Sequence, residues 1–340
     1  MLTFPELTPT LPPPQTPPPV LEVRGLTTRF ATPEGEVLAA DGVSFAVQPG
    51  QTLGVVGESG SGKTQVFLSI MGLLARNGRS DGSVRYRGRE ILNLPPRELN
   101  EIRGSRIAMI FQDPMTSLNP YLTVGRQMTE VLVRHKGLRG AAVRDRAAGM
   151  LEHVGIPEAR RRLSMYPHEF SGGMRQRVMI AMALSCNPKI LIADEPTTAL
   201  DVTIQAQVLD LLKRLRTQLR TAIVLISHDF GVISDIADRV LVMYCGRIVE
   251  SADIDSIFER PAHPYTEGLL RSIPGIGTGG RRLYQIPGTV PSPQDRGRGC
   301  DFYDRCPKRM PVCLSDKPQL FQVGETQAAA CYAAAKEVAA

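Results

Sequence analysis

The eight residues Gly57–Thr64, with the sequence G-E-S-G-S-G-K-T, constrain the fold of this chain more than any other feature. They fit the spacing G-x-x-x-x-G-K-[ST], which is typical of a phosphate-binding loop between a strand and a helix. The apolar run Thr52–Val56 before them predicts a buried strand, and Gln65–Leu74 after them predicts a helix. Glycines let backbone N–H groups close around phosphate oxygens, and the helix N-terminus adds its positive dipole end. The sequence therefore predicts a nucleotide-binding α/β domain.

This loop supplies most of the candidate nucleotide ligands. We expect Lys63 to reach the β- and γ-phosphates, and Thr64 to place its hydroxyl on Mg²⁺. The candidate ATP-binding residues of the loop are Gly57, Glu58, Ser59, Gly60, Ser61, Gly62, Lys63 and Thr64. Such a loop indicates only that a nucleotide is bound, so the class of protein has to come from other motifs.

Two later motifs indicate the class. Phe170–Arg177 has the sequence F-S-G-G-M-R-Q-R, and Ile190–Glu195 has the sequence I-L-I-A-D-E, an apolar strand that ends in two carboxylates. Together with the phosphate-binding loop, they resemble the motifs of ABC-type ATPases. Further motifs follow in that family's order at Gln112, at T-A-L-D (Thr198–Asp201) and at His228.

The segments around these motifs narrow the resemblance. They are similar to the ATP-binding subunits of dipeptide/oligopeptide importers, a family that also covers uptake of nickel, glutathione and antimicrobial peptides. The segments are Phe111–Pro120 (F-Q-D-P-M-T-S-L-N-P), Tyr166–Arg177 (Y-P-H-E-F-S-G-G-M-R-Q-R) and Arg260–Thr266 (R-P-A-H-P-Y-T). The resemblance runs from about Val20 to the C-terminus, so it covers nearly the whole chain.

The resemblance implies roles in hydrolysis for four residues outside the loop. Asp194, with Thr64 and Gln112, would hold Mg²⁺, and Glu195 would polarise the attacking water as general base or positioner. Gln112 would also sense the transmembrane partner, and His228 would contact the γ-phosphate and Glu195. With Lys63, the candidate catalytic residues are therefore Glu195, His228 and Gln112. The alternative is structural: an Asp-Glu pair can simply cap a strand end, and a lone histidine is more often part of the packing.

Phe30 is the candidate for stacking on adenine, because an aromatic face can stack without reading base edges. The alternative is that this Phe, near the end of a strand, belongs to the core.

The resemblance also implies that part of the site acts on another chain. Ser171, Gly172 and Gly173 would contact the γ-phosphate of ATP bound to a second ATPase subunit, with the following helix aiming its N-terminal dipole there. Asp201 would lie at the same junction, as part of the site for ATP bound to the other subunit. ATP would then join two subunits, and hydrolysis would release them. The motif differs from the commoner L-S-G-G-Q at Phe170 and Met174, which flank the serine and glycines, so we do not expect a degenerate site.

Composition places the chain among ordinary globular proteins. Its content is 42% hydrophobic and 22% charged, and no apolar run approaches the roughly 18 residues of a membrane span. No secretory signal precedes the first strand, so we expect a location on the cytoplasmic face of the cell membrane, reached through partners. The net charge of +6 is spread out, which favours a solvated basic surface near anionic headgroups over a nucleic-acid interface.

The pattern of strands and helices predicts the fold class and the domains. Strands alternate with helices around the phosphate-binding loop, as in a parallel sheet. We expect an α/β P-loop ATPase core with a parallel sheet and an antiparallel β subdomain, an inserted helical subdomain, and a small C-terminal metal-binding extension. The predicted bounds are a disordered Pro-rich tail at 1–20, an ABC nucleotide-binding domain at 21–260 with its helical subdomain at about 113–185, and an extension at 261–340.

Four of the six cysteines lie in the last 41 residues, at Cys300, Cys306, Cys313 and Cys331. Their spacing lacks the short C-x₂₋₄-C pair that zinc prefers, and a cytosolic location disfavours disulfides. Irregular, longer spacing suits a [4Fe–4S] cluster, which members of the resembled family with this tail carry. The alternatives are Zn²⁺ and free thiols. Cys186 and Cys245 lie in the predicted core and are expected to be inert.

The predicted function is that of an ATPase subunit that energises a membrane importer of dipeptides or oligopeptides. The implied partners are a second ATPase chain, for which we expect a heterodimer, two transmembrane permease subunits and an extracytoplasmic substrate-binding protein. The alternatives are import of nickel or glutathione, a soluble ABC ATPase that acts on nucleic acid or ribosomes, and a redox sensor whose ATPase is secondary. A single cassette argues against the second alternative, so we expect no nucleic-acid partner.

Overall fold

The computed structural model describes residues 17–112, 117–198, 200–273 and 284–339. The chain divides into two compact units. The first unit contains Met1–Ala46, Leu53–Leu92 and Ser227–Ala340, and the second contains Val47–Thr52 and Asn93–Ile226.

The described residues contain strands of two to thirteen residues. They are β1 (Leu21–Thr32), β2 (Gly35–Val47), β3 (Thr52–Val56), β4 (Gly78–Tyr86), β5 (Arg89–Glu90), β6 (Ile107–Ile110), β7 (Ile190–Asp194), β8 (Ala222–Ser227), β9 (Arg239–Tyr244), β10 (Arg247–Asp253), β11 (Phe321–Gln322) and β12 (Ala328–Ala329).

The α-helices lie mostly between these strands. They are α1 (Lys63–Ile70), α2 (Pro96–Ile102), α3 (Val124–Lys136), α4 (Gly140–His153), α5 (Ala159–Arg162), α6 (Gly172–Leu184), α7 (Val202–Leu219), α8 (Phe230–Ser234), α9 (Ile254–Glu259), α10 (Pro264–Arg271), α11 (Val312–Ser315) and α12 (Tyr332–Ala339).

An antiparallel sheet forms one part of the first unit, in the order β2-β1-β4-β5. Leu21 pairs with Tyr86 and Phe30 with Gly78, with a bulge in β1 between Arg24 and Thr27. The buried residues of β1 alternate at Leu21 and Val23, as expected of a sheet with one face on a core. This is the predicted antiparallel β subdomain.

The strand that leads into the phosphate-binding loop is central to the rest of the first unit. β3 is buried along its whole length and runs parallel to β9, with Leu53 opposite Arg239 and Val56 opposite Val242. A Cβ atom at Gly54 would lie 2.4 Å from Cγ2 of Ile233, so only glycine lets α8 pack this closely against β3.

The C-terminal extension is joined to this unit by strand pairing. β10 is antiparallel to β9, and β12 is antiparallel to both β10 and β11. Glu250 lies opposite Ala329, so the end of the chain adds strands to the same sheet that carries β3. The extension is therefore an integral layer of the first unit.

The second unit contains a parallel sheet and most of the longer helices. β7 lies between β6 and β8, with Ile190 opposite both Ile107 and Ala222. β7 and β8 are buried throughout, which explains their continuous apolar sequences. The helix α6 after the serine-glycine-glycine motif buries Val178, Ile180 and Leu184.

The P-loop α/β fold class predicted from the sequence is confirmed by the comparisons below. The predicted strand Thr52–Val56 coincides with β3, and the predicted helix Gln65–Leu74 overlaps α1. The short elements β5, β11, β12, α2, α5, α11 and α12 had no counterpart in the prediction. The predicted domain bounds stay a prediction, and residues 1–16 of the predicted tail lie outside the described residues. No described helix is both long and apolar enough to cross a membrane.

Candidate nucleotide-binding site

The phosphate-binding loop leaves β3 and enters α1 through two glycines that no other residue could replace without strain. A Cβ atom at Gly57 would lie 2.2 Å from the carbonyl oxygen of Met243. A Cβ atom at Gly62 would lie 2.2 Å from the carbonyl oxygen of Ala39, and Gly62 has φ of 92°. Neighbouring backbone therefore presses against the loop from outside, which fixes its curve.

Lys63 is the first residue of α1, and its side chain turns back into the loop. Its Nζ donates hydrogen bonds to the carbonyl oxygens of Gly57 at 2.7 Å and Glu58 at 3.0 Å, and to Oγ of Ser61 at 3.3 Å. Lys63 is only 6% exposed. A cation is thus held where the loop curves, which is the arrangement that binding of a polyphosphate requires.

The other residues of the loop leave one side open. Ser59 and Gly60 are exposed, Thr64 is half-buried, and a Cβ atom at Gly60 would meet no atom within 4 Å. Gly60 has φ of 77°. The residues present therefore fit ATP, with Lys63 and the backbone for the phosphates and Thr64 for Mg²⁺.

Two predicted catalytic residues meet in the second unit. β7 ends at the buried Asp194, and Glu195 follows with φ of 46°, while its N–H donates to the carbonyl oxygen of Ile226 at 2.9 Å. Oε2 of Glu195 accepts hydrogen bonds from Nε2 of Gln112 at 3.0 Å and from Oγ1 of Thr198 at 2.8 Å. The carboxylate is thus oriented from two sides.

Thr198 was missed as a contributor, although it lies in the T-A-L-D motif. Its hydroxyl donates to the carboxylate oxygen that also receives Gln112. The signal was its position three residues after Glu195, which allows a turn to bring the two side chains together. Ala199 of the same motif lies outside the described residues, as do residues 113–116 after Gln112.

The structure leaves the roles predicted for His228 and Phe30 as predictions. His228 directly follows β8 and is exposed. Phe30 is half-buried on β1, and its Cε1 lies 2.7 Å from where a Cβ atom of Gly78 would be, so the ring covers that glycine. One face of the Phe30 ring therefore packs against Gly78.

The serine-glycine-glycine segment begins α6 in the second unit. Ser171 is the N-cap, and its Oγ accepts a hydrogen bond from the N–H of Met174 at 3.3 Å. Ser171 and Gly172 are exposed, whereas a Cβ atom at Gly173 would lie 2.9 Å from Cγ2 of Ile204 on α7. Asp201 is the exposed N-cap of α7, with its Oδ1 accepting from the N–H of Ile204 at 2.9 Å.

The four C-terminal cysteines line one cavity in the first unit. Cys313 and Cys331 are buried, and Cys300 and Cys306 are half-buried. Burial, together with the other three thiols, raises the pKa of Cys300 to about 12. Within the residues that the structure describes, no group of three or more His, Cys, Asp or Glu side chains is arranged to hold a metal ion. The predicted metal-binding character of the extension is therefore not supported by the structure.

The other two cysteines are in the core, as predicted. Cys186 and Cys245 are 1% and 2% exposed. Burial raises the pKa of the Cys245 thiol to about 11, which keeps it protonated and unreactive at neutral pH.

Comparison with known families decides the class. A model described as ABC transporter matches residues 40–198, and one described as Oligopeptide/dipeptide transporter, C-terminal region, matches residues 249–313. The oligopeptide transport ATP-binding protein OppD of Salmonella typhimurium is 52% identical over 320 residues, which cover 94% of this chain and 95% of that protein. The chain belongs to the oligopeptide branch of the ABC transporter ATP-binding proteins.

Further relatives agree with this membership. The oligopeptide transport ATP-binding protein AppD of Bacillus subtilis is 50% identical, with 92% of this chain and 96% of that protein covered. Among solved structures, the ATP-binding cassette MJ0796, as a dimer in a post-hydrolysis state bound to ADP and Pi, matches with a TM-score of 0.62. It is 28% identical, with 69% of this chain and 98% of that chain covered. The fold is thus the ABC ATPase fold, and the chain is an ABC-type ATPase.

Proposed function

We propose that this chain is the ATP-hydrolysing subunit that energises import of dipeptides and oligopeptides. The observation that carries the proposal is the similarity to oligopeptide transport ATP-binding proteins along 94% of the chain. That similarity includes the C-terminal region, which residues 249–313 match separately from the ATPase core. A generic ATPase cassette would match only the core.

ATP binding is assigned to the phosphate-binding loop. Lys63 and backbone N–H groups of the loop are proposed to bind the phosphates. Thr64, Asp194 and Gln112 are proposed to hold Mg²⁺, which would neutralise charge on the transferred phosphoryl group. The buried ammonium of Lys63, already held by loop carbonyls, supports the phosphate role. Phe30 is proposed to stack on adenine.

Glu195 is proposed to accept the proton of the attacking water or to orient that water. The hydrogen bonds from Gln112 and Thr198 to one carboxylate oxygen support this role, because they fix the direction of the carboxylate. His228 is proposed to contact the γ-phosphate.

A second ATPase subunit completes the reaction. We propose that ATP on that subunit is contacted by Ser171, Gly172, Gly173 and Asp201. The second subunit is proposed to be a different chain, so that the two form a heterodimer. Exposure of Ser171, Gly172 and Asp201 at helix N-termini supports this assignment, since such ends attract anions. Two permease subunits and an extracytoplasmic binding protein are the other proposed partners, with this chain peripheral on the cytoplasmic side of the membrane.

The C-terminal cysteines are proposed to hold a [4Fe–4S] cluster. The observation that supports a shared metal group is that all four thiols line one cavity. Zn²⁺ is the alternative for the same four residues. Because burial raises the pKa values of Cys300, Cys306 and Cys331, metal binding would have to release their protons.

Anaerobic purification of the full chain tests the cluster. We expect a brown protein with about four irons and four sulfides per chain. The brown colour should be lost in Cys313→Ser and kept in Cys245→Ser. One zinc without sulfide, or four titratable thiols and no metal, would contradict the cluster.

The transport function is tested with the assembled complex in vesicles. We expect ATP hydrolysis to rise when binding protein loaded with a short peptide is added, and to stay at background when this chain carries Lys63→Ala. Stimulation by nickel or glutathione instead of peptides would contradict the cargo, and hydrolysis by the isolated chain at the full rate would contradict the shared site.

A further inference from the structure

Glu58, the second residue of the phosphate-binding loop, is held by an arginine from the C-terminal extension. Nη1 of Arg305 donates to Oε2 of Glu58 at 2.6 Å, and Nη2 donates to Oε1 at 2.9 Å. Two parallel charge-assisted hydrogen bonds form a bidentate pair, the geometry that arginine makes best with a carboxylate. Glu58 lies next to Gly57, so this pair acts on the loop itself.

Arg305 is held in one orientation by its surroundings. Its Nε donates to the carbonyl oxygen of Pro287 at 3.0 Å, and Nη1 also donates to the hydroxyl of Tyr244 at 3.3 Å. Its guanidinium lies 5.7 Å from the ring centroid of Phe302 and 5.8 Å from that of Tyr244. Arg305 is 8% exposed, so these contacts and its burial orient the guanidinium for the carboxylate of Glu58.

A second contact from beyond residue 260 fixes the backbone of the same residue. The N–H of Glu58 donates to the hydroxyl of Tyr265 at 2.8 Å. Tyr265 is fully buried, and its ring packs against Tyr244 at 4.7 Å and Phe302 at 5.5 Å between centroids. We call Tyr244, Tyr265 and Arg305 the Glu58 clamp.

The clamp reaches the phosphate-binding lysine through a single residue, Glu58. The carbonyl oxygen of Glu58 accepts from Nζ of Lys63, while its N–H and its carboxylate are bound by the clamp. Three groups of Glu58 are therefore fixed, and the one negatively charged group is turned onto a cation. Without that cation, a carboxylate of the loop would stand beside a site for a polyanion and repel it.

We propose that Arg305 is a positioning residue of the ATPase: it neutralises Glu58 and keeps this carboxylate away from the phosphates, which couples the C-terminal extension to nucleotide affinity. The inference rests on the proposed role of Gly57–Thr64 as the phosphate site. It gives the extension a part in ATP binding that acts through Glu58.

The test measures ATP and ADP affinity of the full chain by calorimetry. Arg305→Met should weaken ATP binding about tenfold, the effect of one uncompensated charge beside a polyphosphate, and weaken ADP binding less, because ADP carries less charge. Lys308→Ala is the matched control, since Lys308 forms an ion pair with Glu267 of α10 at the surface of the same extension. That variant should bind ATP like the native chain.

Charge rescue separates this role from a merely structural one. Adding Glu58→Gln to Arg305→Met removes the stranded carboxylate without rebuilding the clamp, so ATP affinity should return to within about threefold of native. Native-like ATP affinity in Arg305→Met, or an equal loss for both nucleotides without rescue, overturns the proposal.

Two further measurements keep the test decisive. If Arg305→Met shows no cooperative thermal unfolding, Arg305→Lys is measured instead. Because lysine retains the positive charge, we expect its ATP affinity to lie within about threefold of native. A tenfold loss of ATP affinity in Arg305→Lys overturns the proposal. Lys63→Ala tests the phosphate site separately. Unchanged ATP affinity in that variant would remove the proposed site itself, whatever Arg305 does.

Discussion

The phosphate-binding loop and the serine-glycine-glycine segment both present helix N-termini suited to phosphate, yet their surroundings differ. The loop is pressed by neighbouring backbone at Gly57 and Gly62, and its Lys63 is buried. Ser171 and Gly172 are exposed, and the Ser171 hydroxyl accepts a hydrogen bond from the N–H of Met174 in its own helix. The first arrangement suits a ligand held by its own chain, and the second suits a ligand brought by another chain.

The largest effect that we expect on ATP turnover is that of Glu195→Gln, which should abolish catalysis without disturbing either helix N-terminus. The amide keeps the contacts to Gln112 and Thr198 but cannot take a proton, so turnover of the assembled complex should fall about 10²–10⁴-fold while ATP binding persists. Steady-state hydrolysis and calorimetry measure the two quantities, with the exposed Glu152→Gln as control. Hydrolysis within a few-fold of native would remove Glu195 from this role.

The exposed segment is tested by Ser171→Arg. A bulky side chain at the N-cap should block the site completed across two subunits, lowering hydrolysis by about 10²-fold, as expected when a preorganised donor is lost. ATP binding to the variant chain itself should be unchanged, which would sharpen the contrast with the loop. Parallel loss of ATP affinity in the isolated chain would break the contrast.

The buried loop is tested by Lys63→Ala, the converse case. Loss of a charge-assisted contact to phosphate should weaken ATP binding of the isolated chain by about 10–100-fold. Calorimetry on this variant and on Ser171→Arg, side by side, measures which helix N-terminus serves the chain's own ATP. Equal affinities in the two variants would contradict the division.

How much the sequence predicted depends on the distance along the chain over which residues interact. The loop was predictable because its glycines, Lys63 and the flanking strand and helix are contiguous. The family's motifs named Gln112 and Glu195 as site residues, but the hydrogen bond between them was not predicted. The pair of Arg305 with Glu58 spans 247 positions and has no sequence periodicity, so only the fold could reveal it.

The cysteines show the opposite difficulty. Their spacing predicted a metal site, and the fold does gather the four thiols around one cavity, but the described residues contain no ligating group of three. Spacing along the chain constrains which residues can meet, whereas ligation depends on side-chain directions that pattern alone does not determine.

The smallest effect on ATP binding is expected from substitution of Glu250, which supports the helix that carries Tyr265 of the Glu58 clamp. Its main effect should be on stability. Glu250 is fully buried and accepts hydrogen bonds from the N–H groups of Ala262 and His263 and from Nε2 of Gln327. These bonds hold the start of α10, which carries Tyr265. Glu250→Ala would remove the acceptor that these three donors share, although Nε2 of Gln327 would keep its bond to the carbonyl oxygen of Arg260. We therefore expect a loss of about 3 kcal/mol in the free energy of unfolding and only a few-fold loss of ATP affinity.

The pH dependence of that loss identifies its cause. Burial raises the pKa of Glu250 above its ordinary value of 4.5, against the opposing effect of the donors. A carboxyl group whose pKa is raised by folding stabilises the native state most below the unfolded pKa, and this contribution is lost as pH rises through the folded value. Urea unfolding of the native chain and of Glu250→Ala should therefore differ most below about pH 4.5 and less at neutral pH. If the difference in unfolding free energy instead grows with pH, the ionised carboxylate is the stabilising form, and the expected pH dependence is wrong.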